Sequence, residues 1–137
     1  MRSRAAYRPA PAEPEAVASG GTVDRIVGQT RTIGVRQVGS AAWYGGSHVG
    51  MRTASGVPLD GVHPTAAHRS LPLNSLLRVT NLKNGRSVVV LITDRGPASP
   101  HLLVDLSPRA ADELDMKRDG IVPVAIEPVI LQTASYR

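Results

Sequence analysis

Alternating apolar and polar residues near the middle of the chain predict a pair of β-strands. Residues 76–82 (LLRVTNL) alternate with a period of two, as a strand with one buried face does. Residues 87–94 (SVVVLITD) are apolar on both faces, which is typical of a central strand in a closed or covered sheet. The Asn84-Gly85 pair between these segments favours a tight hairpin. We therefore expect two antiparallel strands at the centre of the fold.

Three further apolar segments predict additional short strands. They are residues 38–46 (VGSAAWYGG), residues 102–106 (LLVDL) and residues 121–131 (IVPVAIEPVIL). The last segment contains Pro123 and Pro128, which lack the backbone N–H that pairs with a neighbouring strand. We therefore expect this strand at the edge of the sheet or interrupted by a bulge.

Two segments predict short helices. Ser107 is placed as an N-cap, with Pro108 at the first helical position of a helix of two or three turns. Residues 63–71 (HPTAAHRSL) suit one or two further helical turns. Thirteen glycines and eleven prolines are more than a helical bundle of this length tolerates. Six or so short strands with one or two short helices predict an all-β fold, built as a small β-barrel.

Composition divides the chain into four parts. Residues 1–22 are rich in Ala, Pro, Glu and Arg with almost no branched apolar side chains, which predicts a disordered tether. Residues 23–37 carry scattered apolar residues and are interpreted as a lead-in segment, in which a strand can begin before the main domain. Residues 38–131 form the predicted barrel domain, and residues 132–137 form a short tail.

The composition also excludes several classes of function. The chain has no cysteine, so disulfides, thiolate metal sites and cysteine nucleophiles are excluded. The four histidines have no spacing typical of a metal site, so we expect neither a metal nor another cofactor. The net charge is +5, of which residues 1–39 supply +3 through six arginines against three acidic residues. The remainder is nearly balanced and poor in aromatic residues, which argues against nucleic acid as a partner.

Membrane spans and export signals are not visible in the sequence. No stretch approaches the roughly 20 apolar residues that a membrane-spanning helix needs. The basic N-terminal residues MRSR are not followed by the apolar core of a secretory signal. From the residues alone we expect either a cytosolic protein or an exported one whose signal lies outside this sequence.

Four polar residues stand where chemistry can occur. Asp94 ends the buried strand directly before a rigid turn, and Asp105 interrupts an apolar strand. Asp60 follows a turn-like segment, and His68 comes eight residues later. Three of them also have a structural interpretation: Asp94 as a turn former, Asp105 as an acid near a helix N-terminus, and His68 as a packed side chain. Taken singly, none of them indicates a function.

Several motifs together indicate a family. They are GSAAWYG, TASG, TAAHRSLPL, LLRVTNLKNGRSVVVLITDRGP and LLVDLSPRAADEL. In this order and spacing, over about residues 38–127, the chain resembles the rare lipoprotein A (RlpA)-like family. The resemblance implies a six-stranded double-psi β-barrel with one or two short helices. It also implies a monomeric endolytic peptidoglycan transglycosylase of the periplasm or cell envelope, whose partner is the glycan strand, especially when stripped of stem peptides.

The resemblance further implies which residues form the site. Asp94 and Asp105 match the two acids of expansins and barrel endoglucanases, to which the family is more distantly similar. Asp60 and His68 match residues that have been treated as important for activity in the family. All four are therefore candidates for catalysis. The candidates for substrate binding are Trp43, Tyr44 and Arg95, of which the two aromatic residues are alternatively core residues or a platform for a sugar ring.

The chain departs from the family at one position next to these residues. The family commonly has a glutamate three residues before the aspartate, and Val57 occupies that position here. The lipid-anchoring cysteine of the family is absent as well. Three hypotheses stay open: a glycan-cleaving enzyme of the cell envelope, a non-catalytic expansin-like glycan-binding barrel, and a cytosolic barrel with an unrelated partner.

Overall fold

The structure is a computed structural model that describes residues 29–132. The predicted tether at residues 1–22 lies outside the described residues, as do residues 23–28 of the lead-in segment and residues 133–137 of the tail. The described residues form seven β-strands, one α-helix and one 3-10 helix. The strands are β1 Thr30–Thr32, β2 Gln37–Trp43, β3 Thr65–Ala67, β4 Leu76–Asn81, β5 Ser87–Asp94, β6 Val104–Leu106 and β7 Val122–Leu131; the α-helix is α1 Pro108–Glu113, and the 3-10 helix is Gly46–His48.

Six of the strands close into a barrel. Their order is β7-β2-β6-β3-β5-β4, and the pairing of β4 with β7 completes the ring. The β2/β6 and β3/β5 pairs are parallel, and the other pairs of the ring are antiparallel. β1 lies outside the ring, antiparallel to the end of β7. The predicted all-β, six-stranded barrel with a short helix is confirmed.

The predicted central hairpin is formed by β4 and β5. Leu77 lies opposite Val90, and Val79 lies opposite Val88. All four side chains are fully buried in the barrel core. The connecting loop contains Gly85 with a φ of +83°, a left-handed conformation that glycine adopts readily. The apolar pattern of this hairpin therefore fixes which side chains fill the barrel.

A shift in the β3/β5 register changes the face on which β5 ends. Alternate side chains of β5 up to Ile92 point into the barrel. Ala66 lies opposite Ile92, but the next residue, Ala67, lies opposite Asp94 and not opposite Thr93. The extra residue in β5 forms a β-bulge, and the strand alternation restarts one residue later. The bulge therefore turns Asp94 to the outer face of the barrel wall.

The short helix predicted within residues 63–71 is wrong, because the structure has β3 followed by a turn. β3 pairs with β5 on one side and with β6 on the other, so its backbone belongs to two ladders. Its two alanines favour a helix, but this pairing overrides their weak preference. A three-residue strand is also too short for a period-two pattern to reveal it.

The prolines of β7 do not place it at an edge, so that expectation is wrong. β7 pairs with β2 along one side and with β4 along the other. The Pro123 carbonyl accepts a hydrogen bond from Leu82 N–H, just past the end of β4, and the Pro128 carbonyl accepts one from Ile33 N–H, just past β1. The nitrogen and carbonyl of a strand residue face the same side. Each proline nitrogen therefore points to a place where the neighbouring ladder has ended.

The predicted helix at Ser107 is present as α1, and its cap joins it to β3. Ser107 Oγ accepts a hydrogen bond from Ala110 N–H at 3.3 Å within α1. The same atom accepts one from Thr65 N–H at 2.9 Å at the start of β3. Ser107 is fully buried, so these bonds satisfy backbone groups that water cannot reach. The cap thereby fixes the backbone directly after β6, two residues beyond Asp105.

Candidate active site

A row of four residues on neighbouring strands crosses the outer face of the barrel. Asp94 in β5 lies opposite Ala67 in β3, and Ala67 lies opposite Asp105 in β6. Asp105 in turn lies opposite Ala42 in β2. Neighbouring strands are about 4.8 Å apart, so the two aspartate Cα atoms are roughly 10 Å apart. The structure thus brings Asp94 and Asp105 to one face, with only the small Ala67 side chain between them.

The Asp94 carboxylate is held in place by backbone N–H groups. Its Oδ1 atom accepts hydrogen bonds from Ala54 N–H at 3.0 Å and from Arg95 N–H at 2.9 Å. Ala54 lies in the loop between β2 and β3, and Ser55 N–H in the same loop donates to the Thr93 carbonyl at 2.9 Å. No donor among the described residues bonds to Oδ2. The carboxylate is therefore oriented by the protein while one oxygen stays available to a ligand.

The Asp105 carboxyl group has a different environment. It is half-buried in the barrel wall, and this burial raises its pKa, while the charge of His48 lowers the pKa by a smaller amount. Within residues 29–132 no N–H or O–H group donates a hydrogen bond to it. A carboxyl group with a raised pKa keeps its proton closer to neutral pH, which is what a general acid requires. The environment of Asp105 is therefore that of a general acid.

Tyr44 places a phenol beside both carboxylates. Its backbone N–H donates to the Leu106 carbonyl at 2.8 Å, directly after the last residue of β2. Burial raises the pKa of the hydroxyl, and the charges of Asp94 and Asp105 raise it further, so the phenol stays protonated. Its Oη atom is buried and has no hydrogen-bond partner among the described residues. Tyr44 is therefore an unused donor next to the two acids.

His48 was not predicted from the sequence, and it lies near Tyr44 and Asp105. It ends the 3-10 helix Gly46–His48, and its ring centroid lies 5.4 Å from that of Tyr44. Its charge acts on Asp105, as the pKa of that group shows. His48 lies in an irregular loop, so no periodic pattern pointed to it. Its closeness in sequence to the WYGG motif was the one signal that could have found it.

His68 and Arg95 together hold the turn that follows β3. The buried His68 ring accepts hydrogen bonds on Nδ1 from the N–H groups two and three residues later, each at 3.1 Å, so a neutral ring carries its proton on Nε2. Arg95 Nη1 donates to the carbonyls of His68 at 3.1 Å and Leu71 at 2.7 Å. Burial lowers the pKa of His68, and the charges of Arg69 and Arg95 lower it further. Since His68 N–H donates to the Asp94 carbonyl at 3.1 Å, this turn borders the row.

Asp60 forms a separate turn and is not brought into the row. Its Oδ1 atom accepts hydrogen bonds from Val62 N–H and His63 N–H, each at 2.8 Å, and its Oδ2 atom lies 2.9 Å from His63 Nδ1. The bonds from His63, followed by the one from Val62, lower the pKa of Asp60 to about 2. Among the described residues its carboxylate bonds only to this turn. A catalytic role for Asp60 stays a prediction, and its geometry is that of a turn former.

We expect the Asp60 turn to weaken in acid. The folded-state pKa lies below the value of about 3.9 for an unfolded aspartate, so the stabilisation is present above that value and is lost as the pH falls toward 2. The side chain is 47% exposed, so solvent screening keeps the effect small. Melting temperatures measured from about pH 6 down to about pH 2 should fall further in the wild type than in Asp60→Asn. Parallel curves for the two proteins would contradict a stabilising charge at this turn.

Val57 lies near the tip of the loop that bonds to Asp94. The loop closes as a narrow hairpin in which Arg52 pairs with Pro58, and Thr53 Oγ1 donates to the Val57 carbonyl at 2.5 Å. The Val57 side chain is 55% exposed, so a carboxylate at this position would remain solvated. Val57 therefore adds nothing to the buried core, and the loop is held by the bonds of Arg52 and Thr53.

Trp43 lies on the opposite face of β2 from the row. It lies opposite Leu106, which is a core residue, and its ring packs against the core. Lys117 Nζ lies 5.1 Å from the centroid of the ring. Because neighbouring strand residues point to opposite faces and Ala42 faces the row, Trp43 faces away from it. The structure does not bring Trp43 to the two aspartates, and its contact with a substrate stays a prediction.

The polar groups gathered at the row are two carboxyl groups, a phenol and an imidazole, which suit proton transfer and hydrogen bonding. Within residues 29–132, no three His, Asp or Glu side chains are grouped so that they could hold a metal ion. In the same part of the chain, no helix has the length and hydrophobicity needed to cross a membrane.

Comparison with known proteins places these residues within a family. A family model described as lytic transglycolase matches residues 36–126. The endolytic peptidoglycan transglycosylase RlpA of Neisseria meningitidis serogroup A is 44% identical over 94 residues, which are 69% of this chain and 39% of that protein. The probable endolytic peptidoglycan transglycosylase RlpA of Aquifex aeolicus is 51% identical over 85 residues, covering 62% of this chain and 38% of that protein. The chain thus spans about two fifths of the length of these curated relatives.

Solved structures show the same fold at lower identity. The Streptomyces papain inhibitor superposes with a TM-score of 0.59 at 22% identity, covering 72% of this chain and 97% of the inhibitor. The expansin of Clavibacter michiganensis, solved in complex with cellohexaose, superposes with a TM-score of 0.57 at 19% identity, covering 74% of this chain and 54% of the expansin. At these identities the likeness concerns the double-psi barrel fold alone. The family model spans most of this chain, including Asp94 and Asp105, and on that match the chain belongs to the lytic transglycolase family.

Proposed function

We propose that this chain carries the catalytic barrel of an endolytic peptidoglycan lytic transglycosylase. Its substrate is the glycan strand, preferably free of stem peptides, and the cleaved bond is the β-1,4 bond that joins N-acetylmuramic acid to N-acetylglucosamine. The product carries a 1,6-anhydro-muramoyl end. The observation that carries this proposal is the placement of Asp94 and Asp105 on one barrel face in two different environments. The names of the two relatives support the same reaction.

Asp105 is the general acid and then the general base of the proposed reaction. Its proton passes to the glycosidic oxygen while the bond from that oxygen to the anomeric carbon breaks, and the bonding electron pair stays on the oxygen. The Asp105 carboxylate then takes the proton of the muramoyl 6-hydroxyl group. The oxygen of that group bonds to the anomeric carbon and closes the anhydro ring. Asp105 ends protonated again, so neither an enzyme nucleophile nor a water molecule is consumed.

Asp94 and Tyr44 assist Asp105 in different ways. Asp94 is fixed by two N–H bonds, so its free Oδ2 atom can face the positive charge that develops on the sugar ring. The Tyr44 hydroxyl is buried and keeps its proton, so we assign it a positioning role beside the two acids and no contact with the sugar. His68 acts through the turn after β3 and is a positioning residue; Arg95 Nη1 holds the same turn, which leaves the other N–H groups of its guanidinium for a ligand.

The substrate indicates where the protein acts, and the closed ring indicates its oligomeric state. Because peptidoglycan lies in the cell envelope, we infer that the barrel works there. The ring of six strands closes within one chain, so its strands need no partner to complete their pairing. Asp94, Asp105 and Tyr44 all belong to this one ring or its loops. We therefore propose that the barrel acts as a monomer.

A second candidate function is a glycan-binding barrel without catalysis, as in the expansin-like alternative. The exposed Val57 favours it, because the loop tip next to Asp94 lacks the carboxylate that the family commonly has there. In this alternative the same row contacts the glycan strand, and the strand stays intact.

The two candidates are separated by digesting peptidoglycan from which an amidase has removed the stem peptides. The transglycosylase should release fragments with 1,6-anhydro-muramoyl ends, which mass spectrometry distinguishes from hydrolysed ends by the loss of one water. Strands incubated without the protein are the control. Protein that co-sediments with the strands and generates no anhydro ends would rule out the enzyme and support the binding barrel.

A further inference from the structure

Three arginines border the Asp94 end of the barrel, and each is anchored to backbone carbonyl groups. Arg52 Nη1 donates to the Gly56 carbonyl at 3.0 Å. Arg69 Nη2 donates to the Ser99 carbonyl in the loop between β5 and β6. Arg95 Nη1 donates to the two carbonyls of the turn after β3. We call Arg52, Arg69 and Arg95 the arginine rim.

Each arginine of the rim is tied to Asp94 through its neighbours in the chain. Arg95 follows Asp94 directly. Arg69 follows the residue whose N–H donates to the Asp94 carbonyl. Arg52 lies two residues before Ala54, whose N–H donates to the Asp94 carboxylate. The three rim residues therefore lie in three separate loops, each of which is bonded or directly joined to Asp94.

The positive charge of the rim is not neutralised within the described part of the protein. No carboxylate there lies within 4.0 Å of the three guanidinium groups. By contrast, Lys83 is paired with Asp119 at 2.9 Å, and Lys117 with Asp112 at 3.0 Å. A carbonyl group is neutral, so it orients a guanidinium without cancelling its charge, and several N–H donors stay unused. The three side chains are exposed, so those donors are accessible to a ligand.

We propose that the arginine rim binds the free carboxylates of muramic acid residues on the glycan strand. This inference rests on the proposed function, because it concerns the substrate of the same site. Each muramic acid has a lactyl group, whose carboxylate is free in a peptide-free strand and is converted to an amide where a stem peptide is attached. Guanidinium groups bind carboxylates through charge-assisted hydrogen bonds, which are stronger than those to neutral amides. The rim thereby selects strands that have lost their stem peptides.

The test compares binding to two forms of one substrate: labelled peptide-free strands, and the same strands with their carboxylates converted to methylamides. Wild type should bind the methylamide strands more weakly. Arg52→Gln and Arg69→Gln should each weaken binding to the carboxylate strands by about fivefold, as expected for an exposed ion pair. Neither substitution should change binding to the methylamide strands.

Arg86→Gln is the matched control for charge. Arg86 is also anchored to a carbonyl group, that of Glu113 at 2.8 Å, and no carboxylate lies within 4.0 Å of it in the described residues. It directly precedes β5, whereas Asp94 ends this strand, so it stands at the other end of the barrel. Its substitution removes the same charge and should leave binding to both kinds of strand unchanged.

Three outcomes would overturn the proposal. The first is equal weakening by Arg69→Gln on carboxylate and methylamide strands, since a structural effect acts on both. The second is an equal loss with Arg86→Gln, which would indicate attraction by overall charge. The third is equally tight binding of a single-stranded oligonucleotide of matched charge. The readout is binding and not the formation of anhydro ends. A protein that forms no anhydro ends but keeps the dependence on the carboxylates would therefore refute the transglycosylase and leave the arginine rim standing.

Discussion

Replacing Asp105 with asparagine is expected to lower the rate of glycan cleavage by about 10²- to 10⁴-fold. The amide keeps the shape of the side chain but has no proton to give to the leaving oxygen. Burial raises the pKa of Asp105, so the wild-type rate should fall as the pH rises through this raised value and the acid loses its proton. The rate at which 1,6-anhydro ends appear on peptide-free strands, measured across a range of pH, checks both expectations.

Asp112→Asn is the control for this substitution. Asp112 is an exposed aspartate of α1 that pairs with Lys117 at 3.0 Å and takes no part in the row. It should keep the wild-type rate. Binding of Asp105→Asn to the strands should change little, because binding needs no proton transfer. A wild-type rate in Asp105→Asn would show that another group is the acid, and Asp94 would be the next residue to replace.

The second large effect concerns the barrel itself: Leu77→Ala should destabilise it by about 2–5 kcal/mol. Leu77 is fully buried opposite Val90, and its loss leaves a cavity between the walls of the barrel. Leu76→Ala is the matched control, because it makes the same change in the same strand at a side chain that is only partly buried. Free energies of unfolding from denaturant titrations compare the two variants. Losses of equal size would contradict the assignment of one inner and one outer face to β4.

The parts of the fold that the sequence predicted correctly have local signals. The β4/β5 hairpin follows from strict apolar alternation and an Asn-Gly turn, and α1 follows from Ser107 with a proline after it. The barrel class follows from the number of short apolar segments. The hairpin and helix signals are each contained in fewer than about 20 residues, and the barrel class needs only a count of such segments, so neither requires knowledge of which strands pair.

The parts that sequence reasoning missed depend on pairing between distant segments. In an uninterrupted strand, alternation would place Asp94 inside the barrel together with Ile92, and only the register with β3 creates the bulge that turns it outward. β3 was missed because its strand character comes from its two neighbours. His48 was missed because an irregular loop positions it. The family motifs contain Asp60 and Trp43 as well as Asp94. A motif gives the type of each residue and not its neighbours in the fold, so it does not show which of them lie together.

The side chains of the site are positioned only after β7 has closed the ring. Every residue proposed to act on the glycan lies between positions 44 and 105, yet the ring closes only when β7 pairs with β2 and β4. Gln37 lies opposite Ile126 in that pairing, so the contact joins segments far apart in the chain, of the kind that forms slowly. A nascent chain that still lacks β7 therefore contains all of these side chains before the ring that positions them has closed. The order of the strands thus makes a complete site depend on a complete ring.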